Sequence, residues 1–325
     1  MLPESLDQRI RAFQESRVLL TAIELDLFNA LGEGAEAAEV ARSLATDPRA
    51  TEVLLNALVS LGLLEKRDGV FLNTPEAAQH FTRSSPDDVR MAMMHTVHLW
   101  ETWSTLTECV RAGTAVGARS GGRGEDWTGA FIAAMHANAS RRARAVVQAV
   151  DASGILRMLD IGGGSGAYSI AFAQANPALL AEILDIPAVV PIARRHIAEA
   201  GVADRVAARE GDLRVSDFGG GFDLVLISAI CHMLSADENR ELMAKSRAAL
   251  GAGGRIVISD FILDPGRTGP RQAALFALNM LVGTRSGNTY TELEYASWMR
   301  EAGFDGIRRV ALPGPAHLMI GTRAA

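Results

Sequence analysis

The chain has 325 residues, of which 48 % are hydrophobic and 22 % are charged, and this balance excludes a disordered protein and predicts about two folded domains. The net charge of −6 offers no general attraction to nucleic acid or to an anionic membrane. Two cysteines are too few for a disulfide framework, no apolar run has the roughly 20 residues that span a bilayer, and the first residues lack a signal core, so we expect a cytoplasmic protein.

The first 85 residues predict a winged-helix domain. An amphipathic helix is expected over residues 5–31, and a second helix follows it. The Asp47-Pro48 pair is placed to cap and open a third helix. Residues 63–74 then predict a β-hairpin that turns at Asp68-Gly69. The third helix is apolar and carries little positive charge, which suits a two-fold dimer better than a DNA groove.

Residues 86–150 predict a helical segment between two domains. Two long helical stretches flank a glycine-rich loop at residues 113–129. Met, Phe, Trp and His are frequent over residues 90–140, and apolar residues that include Phe276 and Met280 recur over 276–290. This composition is typical of an apolar substrate pocket and equally of core packing. The candidate pocket residues are Trp100, Trp103, Phe131 and Met280.

From residue 151 onward, apolar strands alternate with helices, which predicts a mostly parallel α/β sheet covered on both faces. Ligands of such a sheet bind beyond the carboxyl ends of the strands. The last two strands are separated by a short loop, so at least one pair is expected to be antiparallel. The predicted strands are 157–161, 181–186, 206–210, 223–228, 255–261, 306–312 and 317–322.

The segment MLDIGGGSG, residues 158–166, is the most informative motif in the chain. A strand ends there in a glycine-rich turn that leads into a helix, so backbone N–H groups can approach a ligand without interference from side chains. Gly162 and Gly164 belong to a D-x-G-x-G-x-G spacing that differs from the dinucleotide fingerprint. Asp160 would repel a pyrophosphate but suits a cationic ligand. The candidate is S-adenosylmethionine, with NAD binding or a plain tight turn as alternatives.

Further polar residues follow the next strands. Asp185 ends the second strand, where a carboxylate can accept hydrogen bonds from both ribose hydroxyls. Asp212 follows the third strand and could bind the adenine amino group, with Leu213 or Phe218 against the ring. At the end of the fourth strand the candidates are Ser228 for the cofactor and His232 for catalysis. Because these segments occur in order at matching strand ends, they indicate one cofactor site.

With these motifs the chain resembles, over nearly its whole length, the S-adenosylmethionine-dependent O-methyltransferases of the winged-helix, dimeric type. That family includes the plant caffeic acid enzymes, acetylserotonin methyltransferase and bacterial polyketide and carotenoid tailoring enzymes. The resemblance implies a seven-stranded, Rossmann-like class I methyltransferase domain over residues 151–325 and an all-helical winged-helix dimerisation domain over residues 1–85. It implies a homodimer that methylates a small, mostly apolar hydroxylated acceptor without a metal. The residues that match the family's motifs are Met135 beside the methyl donor, His232 as the catalytic base and Asp260 as the carboxylate that orients it.

Two positions depart from the pattern of the plant enzymes. Met233-Leu234 follow the histidine where the plant pattern has Asp-Trp. Thr289 aligns near the second orienting glutamate of the plant enzymes and cannot act as a carboxylate. Catalysis by positioning alone is therefore the alternative to a general-base role for His232.

Two other functions stay open at this point. A same-fold enzyme with altered chemistry, such as a decarboxylase or hydroxylase, would not transfer a labelled methyl group. A winged-helix transcription regulator would need tight, sequence-specific DNA binding. No metal site is expected, because His95 and His98 lie three residues apart on a predicted helix without an evident third ligand.

Overall fold

The computed structural model describes residues 2–116 and 125–324. The predicted glycine-rich loop at residues 113–129 therefore lies partly, at residues 117–124, outside the described residues. The chain divides into two compact units, Met1–Trp100 with Glu125–Ala134 and Glu101–Gly124 with Met135–Ala325.

Short helices and a small antiparallel sheet build the first unit. Its helices are α1 (Glu4–Arg11), α2 (Phe13–Glu24), α3 (Leu27–Ala30), α4 (Ala37–Leu44), α5 (Pro48–Ser60), α6 (Pro75–Phe81) and most of α7 (Arg90–Ser104). Its strands are β1 (Ala35–Glu36), β2 (Leu64–Arg67) and β3 (Val70–Asn73), and within the described residues they pair in the order β1-β3-β2.

The structure confirms the predicted helix cap of α5 and the predicted turn of the hairpin. Asp47 caps α5, since its carboxylate accepts a hydrogen bond from the Ala50 N–H at 2.8 Å, and Pro48 occupies the first helical turn. Asp68 and Gly69 turn between β2 and β3 with φ values of 50° and 87°, the left-handed geometry that two-residue hairpin loops favour. The apolar face of α5 is buried in the core of its own unit.

The single helix predicted over residues 5–31 is wrong, because the chain breaks at Ala12 and again at Leu25-Asp26. Asp26 adopts a left-handed φ of 58°, a conformation that Asp tolerates better than most residues. Its carboxylate accepts a hydrogen bond from Asn29 Nδ2 at 2.7 Å and pairs with Arg83 at 2.6 Å. These contacts stabilise the turn in a way that apolar periodicity does not reveal.

The second unit is an α/β domain. Its helices are the C-terminal part of α7, α8 (Leu106–Ala112), the part of α9 (Glu125–Val150) from Met135 onward, α10 (Ala167–Ala175), α11 (Val190–Glu199), α12 (Ala236–Ala249), α13 (Arg271–Gly283) and α14 (Glu292–Glu301). Its strands are β4 (Arg157–Ile161), β5 (Leu180–Asp185), β6 (Val206–Glu210), β7 (Phe222–Ser228), β8 (Leu250–Leu263), β9 (Tyr290–Thr291), β10 (Phe304–Val310) and β11 (Ala316–Arg323).

The sheet runs in the order β10-β11-β8-β7-β4-β5-β6, and the two-residue strand β9 pairs with β8. The five strands from β8 to β6 are parallel, whereas β10 and β11 are antiparallel, as predicted for the last two strands. The chain order reverses between β4 and β7, because β4 leads to β5 on one side and β7 lies on its other side. Such a reversal opens a crevice at the carboxyl ends of the strands.

Apolar side chains alternate between the two faces of this sheet. Met158, Leu224 and Leu226 belong to one buried cluster, while Leu159 and Val225 belong to the other. Because the side-chain period of a strand is two residues, continuous apolar strands bury both faces under helices. Hydrophobic core therefore covers both faces of the sheet, so a ligand can reach it only at the ends of the strands.

Candidate active site

The sheet brings the predicted cofactor segments side by side. β4 pairs in parallel with β5, and β5 pairs in parallel with β6, with Asp185 opposite Glu210. The N–H of Gly162, just past β4, donates a hydrogen bond to the Leu184 carbonyl at 2.8 Å. The glycine turn, Asp185 and the Asp212 loop therefore lie along one edge, as the sequence predicts.

The glycines of the turn are required by close packing and by backbone geometry. Gly162, Gly164 and Gly166 have φ values of 66°, 58° and 79°, which favour glycine. A Cβ on Gly162 would lie 2.3 Å from the Ile230 side chain, and a Cβ on Gly163 would lie 2.8 Å from the Asp160 carboxyl carbon. Gly163 was not singled out from the sequence, although its neighbour Asp160 makes it equally intolerant of a side chain.

Asp160 is fully buried beneath this turn. Its Oδ2 accepts a hydrogen bond from Ser169 Oγ at 2.7 Å, while its Oδ1 has no partner among the described residues. Burial, reinforced by the charge of Asp185, raises the pKa of Asp160 to about 7. An unpaired buried oxygen is costly, so a cationic amino group that donates to it fits this position better than an anion does.

Asp185 lines the same edge in a half-buried position. Its Oδ2 accepts a hydrogen bond from the Gly164 N–H and its Oδ1 accepts one from the Ile186 N–H, both at 2.8 Å. Burial raises the pKa of this carboxyl. An ionised carboxylate has about four acceptor positions, so two remain for the hydroxyls of a ribose.

The loop after β6 carries the predicted adenine contacts. The Asp212 carboxylate accepts a hydrogen bond from the Arg214 N–H at 2.9 Å, and Leu213 is half-buried beside the core. Phe218 is 2 % exposed and lies within the core, which leaves Leu213 as the more accessible apolar residue of the pair.

Lys245 on α12 supports this loop and was not found from the sequence. Its ammonium donates a hydrogen bond to the Leu213 carbonyl at 2.6 Å and lies 4.3 Å from the centre of the Phe218 ring. Burial lowers its pKa. No spacing in the sequence links α12 to the loop, so only the fold reveals this contact.

His232 and Asp260 form a buried pair. His232 lies in a 3₁₀ turn, Cys231–Met233, just past β7, and is 6 % exposed. Its Nδ1 lies 2.7 Å from Asp260 Oδ1, and its backbone N–H lies 3.2 Å from Asp260 Oδ2. The carboxylate can only accept, so Nδ1 carries the proton and Nε2 is the remaining basic nitrogen.

Cys231 precedes His232 but is not part of the pair. It is fully buried, and burial together with the charge of Asp260 raises the pKa of its thiol. A thiol in this state is a weak nucleophile.

One aromatic ring contacts His232, and a second ring stacks on the first. Phe276 on α13 meets the imidazole edge-on, with 4.7 Å between ring centres. Phe261, the residue after Asp260, stacks on Phe276 at 4.1 Å. The sequence indicated only that residues 276–290 were apolar, and it did not identify this aromatic pair.

The predicted pocket residues fall in different units. In the second unit, the Trp103 indole N–H donates to Asn279 Oδ1 at 3.0 Å, and Met280 is 7 % exposed on the same helix as Asn279. In the first unit, Arg17 lies 5.5 Å from the Trp100 ring and Phe131 stacks on Trp127 at 5.0 Å. Met135 lies on α9 at the start of its second-unit portion, half-buried, and Ser228 is half-buried at the end of β7.

The segment after α13 holds the backbone of His232. The Asn288 N–H donates to the His232 carbonyl at 2.9 Å. A Cβ on Gly287 would lie 2.4 Å from that carbonyl oxygen and 2.6 Å from Thr284 Oγ1. Thr289 aligns near the second orienting glutamate of the plant enzymes. It is fully buried, and its Oγ1 has no hydrogen-bond partner among the described residues.

Within residues 2–116 and 125–324, no three His, Cys, Asp or Glu side chains form a group that could hold a metal ion. In the same ranges, no helix is long and apolar enough to cross a membrane.

Comparison with known proteins shows the family to which this fold belongs. The chain belongs to the O-methyltransferase family, because residues 103–305 match the O-methyltransferase domain and residues 8–83 match the O-methyltransferase dimerisation domain. It is an S-adenosylmethionine-dependent O-methyltransferase, and the dimerisation domain supports a homodimer. The family, fold class and cofactor expected from the sequence are confirmed.

Three relatives illustrate the match. The chain is 35 % identical to 3-hydroxy-5-methyl-1-naphthoate 3-O-methyltransferase of Streptomyces sahachiroi, over 99 % of this chain and 96 % of the relative. It is 30 % identical to the tetracenomycin polyketide synthesis 8-O-methyl transferase TcmO of Streptomyces glaucescens, over 99 % of this chain and 97 % of the relative. The structure of human N-acetylserotonin methyltransferase in complex with S-adenosylmethionine matches with a TM-score of 0.87 at 26 % identity, covering 100 % of this chain and 99 % of that one.

Proposed function

We propose that this enzyme methylates a hydroxyl group of a small aromatic, polyketide-like acceptor and that His232 is the general base. The observation that carries the proposal is the buried pair of His232 and Asp260, with 2.7 Å between Nδ1 and Oδ1. Because the carboxylate occupies Nδ1, Nε2 is the nitrogen that can take the acceptor proton.

Each cofactor residue has a role that follows from its chemistry. S-adenosylmethionine supplies, when bound, an electrophilic methyl group on a positively charged sulfur. Asp160, with its unpaired buried oxygen, accepts a hydrogen bond from the amino group of the amino-acid portion. Asp185 binds the ribose hydroxyls. The remaining cofactor contacts are assigned to Gly162, Gly164, Asp212, Leu213, Ser228 and Met135.

His232 removes the acceptor proton during attack on the methyl group rather than before it. An ordinary phenol has a pKa of about 10 and an ordinary imidazole one of about 6.5, so complete prior transfer would be uphill by roughly 4 to 5 kcal/mol. Coupled removal is worth about 100- to 10,000-fold in rate. Asp260 holds the imidazole in place and stabilises the positive charge that forms on it.

The acceptor class follows from the walls around His232. Phe276 and Phe261 form an apolar surface beside the imidazole, with Phe276 meeting that ring edge-on. A flat aromatic acceptor would pack on such a surface with its hydroxyl toward Nε2. The names of two relatives support an aromatic acceptor, since one acts on a hydroxynaphthoate and the other in tetracenomycin polyketide synthesis. In the second unit, Trp103 and Met280 remain candidate pocket residues. For Trp100 and Phe131 of the first unit, a role in the pocket stays a prediction from the sequence.

A set of matched acceptors tests this proposal. The enzyme is incubated with methyl-labelled S-adenosylmethionine and 3-hydroxy-1-naphthoate, 3-methoxy-1-naphthoate or 1-naphthoate. We expect label only in the product of the hydroxylated acid, as a methyl ether. Label in the methoxy compound would indicate methylation of carbon, and label in all three would indicate ester formation. Loss of carboxyl or gain of oxygen without label would favour a decarboxylase or hydroxylase, and either result contradicts the proposal.

We propose that the homodimer forms through apolar residues at the start of the chain. Leu2, Leu6, Ile10 and Phe13 are 58 %, 44 %, 56 % and 55 % exposed, and burial of this surface against a second copy would remove it from water. The double variant Leu6→Asp, Ile10→Asp should lower the sedimentation coefficient from the value of a dimer to that of a monomer. An unchanged dimer would place the interface elsewhere. Location in the cytoplasm stays a prediction from the sequence.

A further inference from the structure

A cluster of two histidines and two serines lies against the glycine turn, apart from His232. His136 is on α9, one residue after Met135, and its Nδ1 lies 2.8 Å from Ser165 Oγ. Its Nε2 lies 3.3 Å from Ser140 Oγ. His196 on α11 stacks on the His136 ring, with 4.2 Å between ring centres and 13° between planes.

Ser165 is the member of this cluster that belongs to the cofactor turn. It is 4 % exposed and lies between Gly164, whose N–H donates to Asp185, and Gly166, which opens α10. Both of these glycines are in the left-handed region, so the local backbone has few restraints of its own. A hydrogen bond from α9 to Ser165 therefore restrains the part of the turn that faces the ligand.

Burial around the two rings favours their neutral forms. Burial lowers the pKa of His136, and a charge on His196 would lower it further, while Glu199 opposes both. Burial also lowers the pKa of His196. The charge of Glu199 raises this pKa, and the charge of Arg195 lowers it. The pair borders an open cleft of about 360 Å³ that is also lined by Gln174, so protons reach it from solvent.

We infer that His136 is a positioning residue for cofactor binding, which holds the glycine turn through Ser165, and that His196 makes this restraint sensitive to acid. The inference rests on the proposed assignment of the glycine turn to the cofactor. At pH 8 both rings are neutral and the bond to Ser165 keeps the turn in its binding geometry. Because burial lowers both pKa values, protonation begins below the ordinary histidine pKa of about 6.5. A proton on each ring would place two like charges 4.2 Å apart, and their repulsion would loosen the stack and the turn that His136 holds.

Calorimetric titration with S-adenosylhomocysteine at pH 8 tests the positioning role. His136→Phe keeps a ring against His196 but removes both hydrogen bonds, and we expect about five- to tenfold weaker binding. Ser165→Ala should weaken binding to the same extent, and the double variant no further. His136→Asn, whose amide reaches the place of Nδ1, should restore most of the affinity. In each case we expect the loss to appear in cofactor affinity and in the KM for the cofactor rather than in kcat, as a positioning role requires.

The same titration at pH 5.5 tests the role of His196. His196→Phe keeps the stack but cannot be protonated, so between pH 8 and 5.5 the wild type should lose more affinity than this variant does. Asp160 also titrates in this pH range, but it is present in both the wild type and His196→Phe, so its effect on affinity cancels when the two are compared.

Three results separate the possible failures. Wild-type affinity in both His136→Phe and Ser165→Ala would overturn the positioning role, and equal pH dependence in His196→Phe would overturn the acid sensitivity. Asp185→Asn serves as the reference variant of the cofactor site. If it also binds as the wild type does, the assignment of the site fails, whereas if it alone is impaired, only the present inference fails.

Discussion

Variants of His232 and Asp260 test most directly whether His232 acts as a general base with the help of Asp260. Asp260→Asn changes the charge but hardly the size, and the carboxylate it replaces accepts from His232 Nδ1 at 2.7 Å, the Phe261 N–H at 2.8 Å and the His232 N–H at 3.2 Å. An amide can accept through one oxygen only, so at least one buried donor loses its acceptor. Hydrogen bonds to charged groups are worth about 1.5–3 kcal/mol, which corresponds to an expected fall in kcat of about 10- to 150-fold.

His232→Gln removes the base itself and should lower kcat by about 100- to 10,000-fold. The assay is transfer of labelled methyl to 3-hydroxy-1-naphthoate, with the affinity for S-adenosylhomocysteine measured in parallel and expected to change little. His80→Gln provides a matched control, because it makes the same substitution in α6 of the first unit.

The double variant decides whether the two residues act together. If Asp260 works through His232, the combination should be no slower than His232→Gln alone, since effects of residues that act as a unit are not additive. Unchanged turnover of His232→Gln with bound acceptor would refute the general-base role and leave catalysis to positioning. Fully additive losses would refute the coupling of the pair.

The remaining predictions concern the cofactor edge and its supports. Asp185→Asn should weaken binding of S-adenosylhomocysteine by about 10- to 100-fold in calorimetry, because it removes a charged acceptor at the ribose position. Asp160→Asn should raise the free energy of unfolding without ligand by up to about 4 kcal/mol at pH 8 and far less at pH 4. The folded pKa of about 7 exceeds the ordinary 3.8, so wild-type stability falls as the pH rises between these values, and urea titrations at both pH values measure the difference. Gly287→Ala should cost about 1–3 kcal/mol of stability and lower kcat more than cofactor affinity, because its Cβ would lie 2.4 Å from the carbonyl oxygen of His232, the proposed general base.

Two of these predictions have a control variant on the same chain, and the comparison of the two pH values is the control for Asp160→Asn. Asp204→Asn changes an exposed carboxylate (74 % exposed side chain) and should leave cofactor binding unaltered. Gly266→Ala adds a Cβ whose nearest contact is an ordinary 3.8 Å, so it should leave kcat unaltered. A pH-independent gain in stability for Asp160→Asn, or a fall in kcat of Gly266→Ala equal to that of Gly287→Ala, would contradict the respective explanation.

The succession of strands along the chain and the edge at which the candidate cofactor residues meet were predictable from the sequence for a local reason. Each of Asp160, Gly162, Asp185 and Asp212 lies within a few residues of a strand end, and parallel strands place those ends at one edge of the sheet. His232 was predictable for the same reason, because it lies just past the end of β7. Asp260 came from the resemblance to the family, and the structure shows its contact with His232.

Contacts between segments distant in the sequence were not predictable, because no periodicity or spacing encodes them. The sequence by itself determined the alternation of strands and helices, the glycine turn and the carboxylates at the strand ends, since these depend on local backbone preference and side-chain period. Only the tertiary structure decided that Lys245 supports the Leu213 carbonyl, that Gly287 lies against the His232 carbonyl and that His136 reaches Ser165. Each of these contacts joins a helix or loop to a strand end, and such a contact exists only once the helices pack on the sheet.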